Sequence, residues 1–224
     1  KLNFNYIIHL ASIASPIKYR KYPLDTIWSN IKGLENIMNY CSRNKNKVKS
    51  VLFMSSSEIY GDPDRSNIPT SEDYNGNVSC TGPRACYDET KRFGETLCIN
   101  YYKQFKLPIK IARPFNNYGP GLNINDGRVI PDFFNFGLKN QNIQIFSSGN
   151  PTRTFCYVSD AVVSYFKILI YGKNAEPYNV GKSDDEISMI KLSKCVRKVL
   201  KKHNNYNGKI DYKINKDINY LTDN

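Results

Sequence analysis

Two short runs concentrate side chains that can move a proton. Ser55, Ser56, Ser57 and Glu58 follow an apolar stretch, and Tyr87 and Lys91 stand four positions apart further on. Positions four apart share one face of a helix. Lys91 therefore stands beside Tyr87, where its positive charge is expected to lower the phenol pKa. A tyrosinate near neutral pH takes the proton from a sugar hydroxyl while a hydride leaves for a nicotinamide. A hydroxyl from Ser56 or Ser57 would hold the reacting oxygen. The Tyr/Lys spacing alone is a weak signal, because the chain has 17 Tyr and an abundance of Lys. An ordinary amphipathic helix face gives the same spacing. The serine run upstream is what lends it weight.

Three arginines join these candidates. A pyrophosphate needs fixed cationic donors, and the guanidinium offers them in a planar fork. Arg128, in a loop between Gly127 and Val129, suits that role, and so does Arg153, just after Pro151. Either also reads as a solvated surface arginine. Arg84, three before Tyr87, could face a sugar carboxylate or serve as a structural ion-pair partner. Glu58 reads as an active-site carboxylate in preference to an ordinary acid at a strand end.

Elements that could position these groups are legible. NYIIHLAS and KSVLFMSSSEIYG read as buried strands ending in small residues, and IKIARPFNNYGPG as a third. The spacing of Ile27, Ile31, Leu34, Ile37, Met38 and Cys41 predicts a helix from Thr26, with those residues on its apolar face. RACYDETKRFGETLCINYYKQF predicts a long helix carrying Tyr87 and Lys91. PDFFNFGLKNQ, VSDAVVSYFKILIYG and ISMIKLSKCVRKVLKKH predict three more, with short strands at IQIF and EPYNVG. The stretch from Gly61 to Pro83 is rich in Pro, Gly, Ser and Asn and reads as loop. Alternating strands and helices make an α/β fold, a doubly wound parallel sheet, with a smaller α/β lobe. The expected division gives the sheet domain residues 1–120, with a return segment at about 158–181. The smaller lobe takes 121–157 and 182–224.

Composition narrows the function classes. No run of 18 apolar residues exists, so no membrane span is expected. Net charge is +12, but the lysines are scattered and Asn is also abundant. A biased composition explains this better than nucleic-acid binding. The six cysteines form no CxxC pair, and the two histidines, His9 and His203, are near no cysteine pair. Reduced thiols in a cytoplasmic protein without a metal site are expected.

HLAS at 9–12, SSSEIYGDP at 55–63, GPRACYDETK at 82–91, ARPFNNYGPG at 112–121, NDGRVIPDF at 125–133 and TRTFCYVSD at 152–160 carry a resemblance. The chain resembles the extended short-chain dehydrogenases, the NAD-dependent epimerase/dehydratase family, and within them the UDP-glucuronate decarboxylases. The resemblance implies a Rossmann-like fold, bound NAD, a UDP-sugar substrate and a homodimer paired through the helices from Thr26 and Arg84. It implies Tyr87 as base, Lys91 as its partner and ribose ligand, Ser56 in place of the usual Thr, and Glu58 as an active-site carboxylate. It implies Leu10, Ala11, Ser12, Ser29, Ser55 and Pro114 near the cofactor. It places Asn36, Tyr101, Gln104, Asn116, Arg128 and Arg153 where the family binds its UDP-sugar.

Related enzymes share the oxidation and differ afterwards. A 4,6-dehydratase needs a general acid and carries Asp-Glu where this chain has Ser57-Glu58. A serine is a poor proton donor. Decarboxylation needs no such acid, because the keto group is the electron sink. The 4-epimerases usually lack the glutamate. Decarboxylation of UDP-glucuronate to UDP-xylose through a 4-keto sugar is therefore expected, with 4-epimerase and 4,6-dehydratase as alternatives. No glycine precedes Gly33, so the glycine-rich GxxGxxG turn is absent. The chain is thus expected to begin inside its sheet, near the fourth strand, as a fragment that also ends abruptly at INYLTDN. A degenerate subunit unable to hold NAD is the alternative of another class.

Overall fold

The structure is a computed structural model that describes residues 3–184 and 186–213. In chain order the first half runs β1 (Tyr6–His9), α1 (Pro16–Lys21), α2 (Pro23–Arg43), β2 (Ser50–Met54), α3 (Ala85–Phe105) and β3 (Ile109–Pro114). Then follow β4 (Asn117–Tyr118), α4 (Val129–Leu138), β5 (Ile143–Ile145), β6 (Thr152–Arg153) and β7 (Cys156–Tyr157). The remainder is α5 (Val158–Tyr171), β8 (Pro177–Val180), β9 (Ile187–Ser188), α6 (Met189–Asn204) and β10 (Ile210–Tyr212).

Strands β1, β2, β3 and β8 form one parallel sheet in that order. Parallel strands need helical crossovers, and these cover both faces. Successive side chains of β2 point to opposite sides. Val51 and Phe53, with Ile109 and Ile111 of β3, pack on Leu34, Met38 and Cys41 of α2 and Cys98 of α3. Leu52, Met54 and Ala112 pack the other way, on Ala161, Ile168 and Leu169 of α5. A third core joins α4, β5 and α6 through Phe133, Ile143, Ile145, Leu192, Val196 and Leu200. There β5 pairs in parallel with β10, and β6 antiparallel with β9. The two-residue strands β4 and β7 pair in parallel. The doubly wound parallel sheet and the smaller α/β cluster agree with the expected fold.

The structure corrects some local expectations. Helix α2 starts at Pro23, before Thr26, because proline suits the first helical turn. Thr26 and Asn30 are buried where Ile27 and Ile31 were expected, and those two isoleucines are half-buried. Each of the polar pair makes a hydrogen bond, although Asn30 Oδ1 is buried without a partner among the described residues. Thr26 Oγ1 donates to Tyr22 O at 2.8 Å, and Asn30 Nδ2 donates to Thr90 Oγ1 at 2.8 Å. Helix α1 was not expected at all, since six residues are too short to show a 3.6 period. The cysteines are mixed: Cys41, Cys98 and Cys156 are buried, Cys86 is intermediate, and Cys80 and Cys195 are exposed. The end of the chain at INYLTDN, and residues 214–224 of the expected lobe, lie outside the described residues. Among those described, no helix is long and apolar enough to cross a membrane. None of their His, Cys, Asp or Glu form a group of three able to hold a metal ion.

Candidate active site

The carboxyl end of β2 delivers the serine run into a cleft shared with α3. Ser55 and Ser56 are buried, and Ser57 opens a one-turn 3-10 helix from Ser57 to Tyr60. Ser56 caps that turn: its Oγ accepts from the Glu58 N–H at 3.2 Å. The same hydroxyl is hydrogen-bonded to the phenol of Tyr87. Tyr87 and Lys91 are both buried on one face of α3. Lys91 Nζ donates to Met54 O at 2.8 Å and lies 5.6 Å from the Tyr87 ring centroid. Ser56, Tyr87 and Lys91 are thus brought together as the sequence suggested.

The electrostatics differ from the expectation. Burial pushes the Tyr87 phenol above its ordinary range, outweighing what opposes it. The groups that draw it down are the Ser56 hydrogen bond and the positive charges of Arg128 and Arg84, while Asp88 raises it. Lys91 flanks the ring as well. Its ammonium sits over the ring and is bonded to backbone, and burial lowers its own pKa to about 8.

Arg84, half-buried just ahead of α3, ion-pairs with Glu58 and reaches Asp88 from Nε at 3.6 Å. Of its two expected roles, the ion pair is the one the structure displays. Arg128 bonds Asp126 at 2.9 Å and donates to Ala14 O at 3.3 Å, close enough to act on Tyr87. Asn116 and Pro114 lie where β3 ends, and Asn116 Nδ2 donates to Thr154 O at 3.2 Å. Leu10 follows the end of β1 with 64% of its surface exposed. Ala11 beside it is exposed as well, while Ser12 Oγ is buried and has no partner among the described residues. An unpaired buried hydroxyl and an exposed leucine at a strand's carboxyl end fit the nicotinamide side of a dinucleotide.

Three expected site residues are not brought there. Asn36, Tyr101 and Gln104 lie toward the far ends of α2 and α3. About four helical turns separate Tyr101 from Tyr87, roughly 21 Å at 1.5 Å per residue. The Tyr101 hydroxyl donates to Asn39 Oδ1 at 2.9 Å, and Asn36 and Gln104 are exposed. Both helices run away from the carboxyl ends of the strands, which takes these three out of reach. Ser29 is exposed and donates to Thr26 O at 3.1 Å within its own helix. Ser55 Oγ donates to Glu95 Oε1 at 2.5 Å, so its hydroxyl is engaged by protein. Arg153 is exposed on β6 and donates to the neighbouring Thr152 O at 2.8 Å.

The structure adds residues that the sequence reading passed over. Tyr19 of α1 stacks on Tyr87, with ring centroids 5.2 Å apart and planes 13° from parallel. Nothing in SPIKYRKY signals this contact. His9, buried at the end of β1, stacks on Phe53 at 6.0 Å. Its pKa is lowered by burial and then by Lys91. Glu95 lies one further turn along the face of Tyr87 and Lys91, and that spacing was readable.

The comparisons with known proteins show the family and the fold. Residues 1–181 match the model of the NAD dependent epimerase/dehydratase family. UDP-glucuronic acid decarboxylase 6 of Arabidopsis thaliana is 41% identical over 195 residues, covering 87% of this chain and 55% of the relative. UDP-glucuronic acid decarboxylase 1 of Xenopus tropicalis is 37% identical over 199 residues, covering 89% of this chain and 46% of the relative. The chain spans about half the length of the curated relatives it matches. Among solved structures, Pal from Bacillus thuringiensis superposes with a TM-score of 0.81 at 23% identity, covering 100% of this chain and 66% of that one. The UDP-glucose 4-epimerase of Thermotoga maritima gives 0.75 at 23% identity, covering 95% and 65%. With a parallel sheet, a buried Ser/Tyr/Lys cluster and this match, the chain belongs to the NAD dependent epimerase/dehydratase family.

Proposed function

We propose that this chain carries the oxidation centre of an NAD-dependent UDP-glucuronate decarboxylase. The observation that carries the reading is the Ser56/Tyr87/Lys91 cluster beside a Glu58 carboxylate paired with Arg84. The naming of the relatives as UDP-glucuronic acid decarboxylases supports it.

In this reading Tyr87 removes the proton from the hydroxyl on carbon 4 of the sugar, and Ser56 holds that oxygen. NAD, held there, would supply the hydride acceptor for carbon 4. Lys91 holds the nicotinamide ribose, with Leu10, Ala11, Ser12 and Pro114 around the cofactor. The 4-keto group takes up the electron pair released when the carboxylate leaves as carbon dioxide. Protonation at carbon 5 and reduction of the 4-keto group, with Tyr87 giving its proton back to the carbon-4 oxygen, would complete UDP-xylose. Arg128 and Asn116 face the UDP-sugar. Glu58 is paired with Arg84 beside the site, and Ser57 supplies no carboxylic acid for an elimination.

Residues 1–120 with 158–181 form the nucleotide-binding part, and 121–157 with 182–224 the substrate lobe. The separate cores around the main sheet and around α4, β5 and α6 support that division. A cytoplasmic homodimer completes the reading. Leu24 and Trp28 on α2 are exposed, and Phe93 on α3 lines a groove of about 490 Å³ together with Ile27, Ile31 and Cys86. A second copy pairing these two helices would cover them.

The test is incubation with NAD and UDP-glucuronate, followed by mass analysis of the product. Loss of carbon dioxide is expected. Loss of water, or an unchanged mass with an epimerised sugar, overturns decarboxylation.

A further inference from the structure

The segment that carries Ser56, Ser57 and Glu58 is tied down at both ends by one buried ion pair. Arg113 of β3 and Glu95 of α3 form it, with side chains 9% and 12% exposed. Arg113 grips the carboxylate with two parallel bonds, Nε to Oε1 at 2.9 Å and Nη2 to Oε2 at 2.7 Å. A bidentate, charge-assisted pair of this kind fixes direction as well as distance. On the upstream side, Glu95 Oε1 accepts the Ser55 hydroxyl at 2.5 Å. On the downstream side, Arg113 Nη1 donates to the Tyr60 hydroxyl at 2.7 Å. Tyr60 in turn donates to Asn179 Oδ1 at 2.7 Å. Ser56, Ser57 and Glu58 are strung between these two anchors.

Helix α3 repeats the pattern along one face. Tyr87, Lys91 and Glu95 stand at successive four-residue steps. They engage Ser56, the Met54 carbonyl and the Ser55 hydroxyl, which are consecutive residues at the end of β2. Register between strand and helix is therefore set by side chains of the candidate site and its neighbours, in addition to apolar packing.

We infer that the Glu95–Arg113 pair is a positioning device, holding Ser55 and Tyr60 so that Ser56 stays against the Tyr87 phenol. The inference rests on the proposed role of Tyr87 and Ser56 in oxidation. Displacement of a reacting group by a fraction of its bond length is enough to slow the chemistry strongly. Tyr87 is faced by Arg84 and Asp88 of its own helix, Lys91 one turn on, Arg128 from the loop before α4 and the Tyr19 ring of α1. None of these touches Ser55 or Tyr60, so a change at the anchors reaches Tyr87 through Ser56 directly and through the Glu58–Arg84 pair.

Removing Arg113 or Glu95 leaves a buried charge unpaired and risks unfolding. Ser55→Ala and Tyr60→Phe each remove one hydroxyl and keep the pair. The experiment measures kcat and KM for both substrates, thermal unfolding, and the pH titration of Tyr87. Carbon-13 tyrosine NMR reports that titration, with the Tyr87 signal assigned by its loss in Tyr87→Phe. Both variants are expected to fold, with kcat down about 10- to 100-fold and KM for UDP-glucuronate within about threefold. The Tyr87 midpoint is expected to rise, because the Ser56 hydrogen bond that draws it down is weakened. Ser55→Thr should recover most of the rate. A lowered melting temperature with kcat and midpoint unchanged overturns the inference, and so does a rise confined to KM for NAD. A wild-type protein without turnover sinks the proposed function instead, and the NMR midpoints still decide the positioning role.

Discussion

A lysine ammonium enclosed by a protein destabilises the fold whenever it is charged. Lys91 is such a group, with burial taking its pKa from 10.5 to about 8. Between those values the unfolded chain holds a proton that the folded chain has released. Stability therefore rises with pH from about 8 to about 10.5, and below 8 the cost is present in full. Lys91→Met should remove the cost at pH 7 and stabilise the protein by on the order of 1–3 kcal/mol, less whatever the lost bond to Met54 O contributes. Denaturant unfolding at pH 7 and pH 10 checks this. The gain should shrink at the higher pH, and equal gains at both would refute the burial argument. The same substitution removes the proposed ribose ligand, so oxidation should fail as the fold strengthens. A site that keeps a destabilising charge is one where function opposes stability. That Tyr87 and Lys91 lie together was legible from a four-residue spacing. That burial holds the phenol above its ordinary range was not, because spacing carries no information about burial.

Contact between α3 and the sheet depends on a residue without a side chain. A Cβ at Gly94 would stand 2.5 Å from the Phe53 ring and 3.3 Å from Leu34. Helix propensity alone predicts that Gly94→Ala stabilises α3 by about 1 kcal/mol. The packing predicts the reverse, since both neighbours belong to the close-packed core between α2, α3 and β2. Gly94→Ala is expected to cost roughly 1–3 kcal/mol, read as a fall in the denaturation midpoint. Phe53 also lies 5.5 Å from Lys91 Nζ, so the displaced ring should disturb the site as well. A stabilised variant would show that α3 can shift outward freely. The long helices were readable because they have enough turns to display an apolar stripe. Helix α1, which brings Tyr19 onto Tyr87, has six residues and displays none.

Across the whole molecule, thiol chemistry should map the cores. Burial pushes Cys41 up to about 11 and Cys98 higher still, while Cys80 and Cys195 are exposed. A thiol reagent under native conditions should label Cys80 and Cys195 first and leave Cys41 and Cys98 until unfolding. Peptide mapping after timed labelling checks the order, and early modification of Cys98 would contradict the core beneath α3. The sequence by itself determined the α/β class, the parallel sheet and the candidate Ser/Tyr/Lys cluster. Each of these follows from local periodicity or from residues close together in the chain. The tertiary structure alone decided which distant residues share the site. It took Asn36, Tyr101 and Gln104 away along their helices, tied Arg84 to Glu58, and placed Arg113 and Glu95 behind the serine run. Those pairings span tens of residues, and only the packing of helices across a sheet fixes which side chains meet.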